Sequence, residues 1–228
     1  MSALSHDRIA DYGWRLGPAR FSGAAFLMPV VVSVVAYGIA WGTGLTAFTT
    51  EEATHYRWAR RLGFPLPTPL WLGVLSKLAL ATPITMFFAL GEEIGWSGFV
   101  VPKLARLVPV PMVAVILGAY WALWHMPAIV GHVYGYGAPL RVALPGFTLV
   151  LIGCAMIKTV LVLRSHSLWT GTIMHASHNV ILMGLFWEMT AHKGRASWIV
   201  SETGVGLGVV YVAIGLVFWW WQRKRLGT

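Results

Sequence analysis

Two adjacent glutamates sit in a run that otherwise belongs in an apolar medium, Phe87-Phe88-Ala89-Leu90-Gly91-Glu92-Glu93-Ile94-Gly95-Trp96. A carboxylate placed in lipid costs several kcal/mol or changes protonation, so an acid in such a run demands an explanation. Successive helical residues point about 100° apart, so one Glu can face a reaction centre while the other holds a neighbouring helix or orients the first. The plainer reading puts both at the membrane surface.

Other apolar runs carry matching groups. His125 lies within Tyr120-Trp121-Ala122-Leu123-Trp124-His125-Met126-Pro127, and His175 and Asn179 close the run Ser167-Leu168-Trp169-Thr170-Gly171-Thr172-Ile173-Met174-His175-Ala176-Ser177-His178-Asn179. His175 and Asn179, four apart, share one helical face with backbones about 6 Å apart, and together present donors to one small group. His178 points about 100° away from Asn179 and is expected to play a supporting part. Lys77 and Lys158 also fall in apolar runs, where snorkelling or a structural ion pair is the ordinary reading. Cys154 is the single cysteine, which rules out an intrachain disulfide and a cysteine metal cluster and leaves a small packing residue.

The elements that carry these groups follow from composition. Of 228 residues, 57% are hydrophobic and 11% charged, and the mean hydropathy is +0.68; a water-soluble domain has about 25% charged residues. Apolar runs of roughly 20 residues predict membrane-spanning helices. Six are expected, near Ala24–Thr46, Leu70–Val101, Met112–Val130, Leu144–Leu163, Leu168–Met189 and Gly204–Trp221. The fold class is therefore all-α, a polytopic transmembrane bundle with a polar site within the membrane. The second run is too long for a perpendicular crossing and reads as a tilted or broken helix, or two shorter segments.

The formal charge of +9 does not mark a nucleic-acid protein, because the basic residues are scattered over span ends and form no stripe. With both termini cytoplasmic, nine basic residues fall inside and six outside, which favours that orientation; the plasma membrane is the expected location. Trp219-Trp220-Trp221-Gln222-Arg223-Lys224-Arg225 marks the last boundary, with indoles at headgroup depth and cations beyond. Asp7 and Asp11 and the length of the first run argue against a cleavable signal. Glu51 to Arg61 suits a short surface helix, Phe64-Pro65-Leu66-Pro67-Thr68-Pro69 ends it, and His132 to Pro139 forms an interfacial loop that gates substrate or merely connects. A depth count from the proposed cytoplasmic ends puts Glu92 about 15 Å, His125 about 21 Å, and His175 and Asn179 about 12 to 18 Å into the membrane, which is compatible with one layer.

Three ordered motifs resemble the CAAX proteases and bacteriocin-processing enzymes, the CPBP or ABI proteins, which are intramembrane glutamic endopeptidases. Glu92-Glu93-Ile94-Gly95-Trp96-Ser97 resembles Glu-Glu-x-x-x-Arg, Trp121-Ala122-Leu123-Trp124-His125 resembles aromatic-x-x-x-His, and His175-Ala176-Ser177-His178-Asn179 resembles His-x-x-x-Asn. The resemblance implies a catalytic core over 70–189 in a single membrane domain of 1–228. It further implies that Glu92 is the general base, that His125 helps bind and polarise water, that His175 and Asn179 form the oxyanion hole, and that Glu93 tunes or positions Glu92. The chain departs from the pattern at Ser97, which stands where the motif has Arg. Another cation such as Lys77 or Lys158 compensates, or one carboxylate stays protonated, or activity is altered or lost.

No cofactor or metal is expected, and the partners are a peptide or membrane-protein substrate and the bilayer. Two rivals stand beside the protease. A zinc-dependent membrane hydrolase uses the same residue types, although the chain lacks His-Glu-x-x-His. A scaffold, immunity protein or transporter keeps the fold without the chemistry.

Overall fold

The computed structural model describes residues 8–55, 67–191 and 195–226. Among them the chain is all-α: α1 Ala19–Gly42, the short α2 Glu51–Thr54, the long α3 Leu70–Leu104, α4 Val110–Val130, α5 Leu140–Ser165, α6 Leu168–Ser177, the short α7 Ala196–Ile199, and α8 Val205–Leu226. Prolines set several starts. Pro18, Pro69, Pro109 and Pro139 stand at the N-caps of α1, α3, α4 and α5, where the fixed φ suits helix entry and a missing N–H leaves no helical bond unmade. This is why α1 begins at Ala19, ahead of the apolar run expected from Ala24.

Among the described residues, five helices are long and apolar enough to cross a membrane: α1, α3, α4, α5 and Val205–Gln222 of α8. Their outward side chains, among them Leu27, Val34, Phe87, Phe88, Leu123 and Val217, form an exposed apolar surface suited to lipid. The chain is a multi-pass integral membrane protein. The sixth expected span, Leu168–Met189, is helical through Phe186 but falls short as an apolar crossing. The reason is its place in the bundle: α1, α3 and α5 pack around it, so Thr170, Thr172, His175, Ser177 and His178 are buried in protein and need not face lipid.

The second run, which sequence left as one helix or two, is a single helix interrupted by wider π-helical turns at Lys77–Ala81 and Ile94–Val100. α6 likewise passes into a π-helical stretch at His178–Phe186. Such widening is rare and concentrates at functional sites, because it re-aims the side chains that follow.

α5 is the interior spine, packed between α4 and α8 and touching α6. Gly118 lets α4 approach α5 closely, since a Cβ there would lie 2.5 Å from Ile152 Cα. α5 turns into α6 through His166 in the left-handed region (φ 51°), and Ser167 caps α6 by accepting the Trp169 amide at 3.2 Å. The N-terminal segment holds this turn, with Trp169 Nε1 donating to the Trp14 carbonyl at 2.8 Å. The expected surface helix starts at Glu51, but its basic part, Arg57, Arg60 and Arg61, lies outside the described residues, as does Phe64 to Leu66 of the proline segment.

Candidate active site

α3 delivers both glutamates where its α-helical winding gives way to the π-helical turn at Ile94. The two side chains then diverge. Glu92 is half-buried, and its Oε2 accepts hydrogen bonds from Trp121 Nε1 at 3.0 Å and Trp96 Nε1 at 3.4 Å. Glu93 is fully buried; its Oε1 accepts from Lys158 Nζ at 2.7 Å and lies 3.1 Å from His175 Nδ1, and its Oε2 accepts from the Ser97 hydroxyl. Glu93 thus reaches behind the site toward His175, instead of alongside Glu92.

α4 contributes an indole and an imidazole one turn apart. The Trp121 ring takes the Lys158 ammonium on its face, 3.7 Å from the centroid, while its N–H points to Glu92. His125 Nδ1 lies 3.1 Å from the Trp121 carbonyl. A carbonyl only accepts, so Nδ1 carries the proton and Nε2 is left for another partner. The Trp124, Phe147 and Tyr134 rings surround His125, with centroids 4.8, 5.1 and 5.6 Å away.

His175 comes from the last turn of α6, and Asn179 follows across the passage into the π-helical stretch. The Glu93 carboxylate opposite His175 Nδ1 fixes the proton there and leaves Nε2 for the site.

Glu92, His125, His175 and Asn179 line one cavity of about 120 Å³, with Trp121, Tyr134, Phe147, Leu151, Cys154, His178 and Glu202 completing the wall. The space is large enough for water, which needs only about 10–15 Å³ of such volume and a few polar partners. Four of the five residues singled out from sequence therefore share this space, and Glu93 supports it from outside. A larger groove of about 620 Å³ between α1, α5 and α8 is lined mostly by apolar side chains such as Phe21, Met28, Leu161 and Phe218, with Arg20, Arg164 and Gln222, and has none of these groups.

A second polar network, unforeseen in sequence, closes the cavity. His178 Nε2 lies 3.0 Å from Glu202 Oε1 and its Nδ1 2.7 Å from the Tyr211 hydroxyl, while Tyr134 donates to Glu202 Oε2. His178, one turn from His175 although about 100° round from Asn179, faces the same cavity at the start of the π-helical stretch. Burial pushes the Glu202 carboxyl up, but the hydrogen bond and charge of His178 and the Tyr134 hydroxyl outweigh it and hold the group below its usual value. Glu202 lies in the connection before α8, where a lone acid reads as a solvated loop residue. Tyr134 carried the weaker signal of an aromatic among the loop glycines.

Among the described residues, no three His, Cys, Asp or Glu side chains come together in a way that could hold a metal ion. No curated protein and no solved structure matches the chain. Residues 73–181, the stretch that carries all three motifs, match the family model of type II CAAX prenyl endopeptidase Rce1-like proteins, so the resemblance read from those motifs is borne out at the level of the family.

Proposed function

We propose that this protein is an intramembrane endopeptidase that hydrolyses a peptide bond with water activated by Glu92. The observation that carries the reading is the shared cavity: the Glu92 carboxylate, the His125 and His175 imidazoles and the Asn179 amide, from α3, α4, α6 and the π-helical stretch after α6, face one space roomy enough for water. Glu92 takes a proton from water as its oxygen attacks the carbonyl carbon, and the free Nε2 of His125 accepts the other water hydrogen and fixes the nucleophile. Negative charge then grows on the carbonyl oxygen. Asn179 donates to it through its amide, and His175 does so from Nε2 when that nitrogen also carries a proton. On collapse the C–N bond breaks, and the proton held by Glu92 passes to the departing amine. Glu93 keeps the His175 ring in place through Nδ1.

The substrate is a peptide or the tail of a membrane protein, and the family match makes prenylated CAAX tails the first class to try. The catalytic core is the segment 70–189, with Glu202 and Tyr211 joining from beyond it. The excess of basic residues at one set of span ends supports cytoplasmic termini, with α6 taken as a sixth crossing inside the bundle, and the plasma membrane is the proposed location.

The test compares new peptide termini in cells carrying the parent and cells carrying a folded Glu92→Gln variant. Termini present only with the parent support the reading and name the substrate. Identical sets reject it.

A further inference from the structure

The family pattern sets an arginine four residues after the second glutamate, one helical turn along the same face. Ser97 occupies that place and gives Glu93 a hydroxyl, not a charge. The cation comes from another helix: Lys158 of α5, fully buried, lies 2.7 Å from Glu93 Oε1. We infer that Lys158 is a positioning residue of the hydrolytic site, carrying on α5 the charge that the pattern carries on α3.

Three observations support this. First, the ammonium and the carboxylate are both wholly out of solvent, and neither charge is tolerable there without the other. Second, Lys158 touches the supports of two site groups, His175 and Glu92. It pairs with Glu93, which holds His175 Nδ1 at 3.1 Å, and it sits on the Trp121 ring, whose N–H reaches Glu92 Oε2 at 3.0 Å. Third, there is no room for a long side chain at position 97. Gly171 of α6 lies so close that a Cβ there would run into Ser97 Oγ and come 2.7 Å from Glu93 Oε2. With α3 and α6 in such contact, the lysine that reaches Glu93 comes from α5. Lys77, the other lysine of the apolar runs, pairs with Glu188 at 2.6 Å.

This inference rests on the proposed hydrolytic reading, and the experiment separates the two. The purified parent, Glu92→Gln, Lys158→Met, Lys158→Arg and the pair variant Lys158→Met/Glu93→Gln are assayed on a quenched peptide bearing the cleavage site found by the terminus comparison, with melting temperature measured in the same detergent. Lys158→Met is expected to lower kcat about 100-fold with little change in KM, because the fault is in orientation, and Lys158→Arg to keep more activity. Lys158→Met strands the Glu93 charge and melts lower. The pair variant removes both charges and is expected to regain the melting temperature while kcat stays low, since His175 has lost its carboxylate. Recovery of kcat together with melting temperature, or parent kcat in Lys158→Met, overturns the inference and leaves a structural ion pair. A Glu92→Gln protein as fast as the parent defeats the underlying reading, and this inference with it.

Discussion

The indole N–H of Trp121 donates to Glu92 at 3.0 Å, and on the face of the same ring sits the ammonium of Lys158. One side chain therefore aims the candidate base and screens a buried cation from it. Trp121→Phe keeps an aromatic face and removes the donor. A hydrogen bond to a charged group is worth about 1.5–3 kcal/mol, so kcat should fall roughly ten- to hundredfold with the fold intact, measured as steady-state cleavage alongside thermal melting.

Asn179 supplies the donor that needs no change of protonation. Asn179→Ala should lower kcat by on the order of a hundred- to a thousandfold, as loss of one oxyanion donor does. KM should hardly move, because the interaction strengthens only as charge develops. An equal loss expressed entirely in KM would assign Asn179 to substrate binding.

Gly171 tests the close approach of α3 and α6. The methyl group of Gly171→Ala runs into Ser97 Oγ and crowds Glu93. Overpacking of this kind costs about 1–3 kcal/mol, so the variant should melt lower and cleave more slowly, and Gly171→Ala combined with Ser97→Ala should recover part of the melting loss.

The Glu202 network predicts a pH dependence of stability. Its carboxyl is held below the ordinary value near 4.5 by His178 and Tyr134 against the opposing effect of burial. The stability it lends is full above that ordinary value and is lost as pH falls through the lower folded-state value. Melting temperature of the parent should therefore drop below about pH 4, and Glu202→Gln should start lower at neutral pH and show a shallower acid decline. Tyr134→Phe should weaken the same network and loosen the loop from 131 to 139 over the cavity, seen as faster hydrogen exchange there.

Much of this arrangement is legible in sequence because lipid penalises charge so steeply. Glu92 and His125 stand out by residue type alone, and the spacing of His175 and Asn179 puts them within a turn of each other. The helical segments follow from apolar runs. What escapes is set by packing. The segment from Leu168 reads as a lipid-spanning helix, yet it is an interior helix whose polar residues are covered by protein. Regular helical geometry turns His178 about 100° from Asn179, but cannot show that Glu202 and Tyr211 are there to hold it at the cavity wall. Lys158 is visible as a misplaced cation, but its partner is 65 residues distant and follows from tertiary contact alone. Glu202 gives no signal, because an acid between apolar runs is ordinary in a loop.

The decisive measurement is the cleavage rate of purified, reconstituted Glu92→Gln beside the parent, on the peptide whose terminus the cellular comparison identifies, with and without a strong chelator. The parent should cleave equally well in chelator, and Glu92→Gln should lose at least a hundredfold in kcat while melting at the parent temperature. Parent-like turnover by a well-folded Glu92→Gln protein, or a stoichiometric metal whose removal abolishes cleavage, would contradict glutamate-activated hydrolysis.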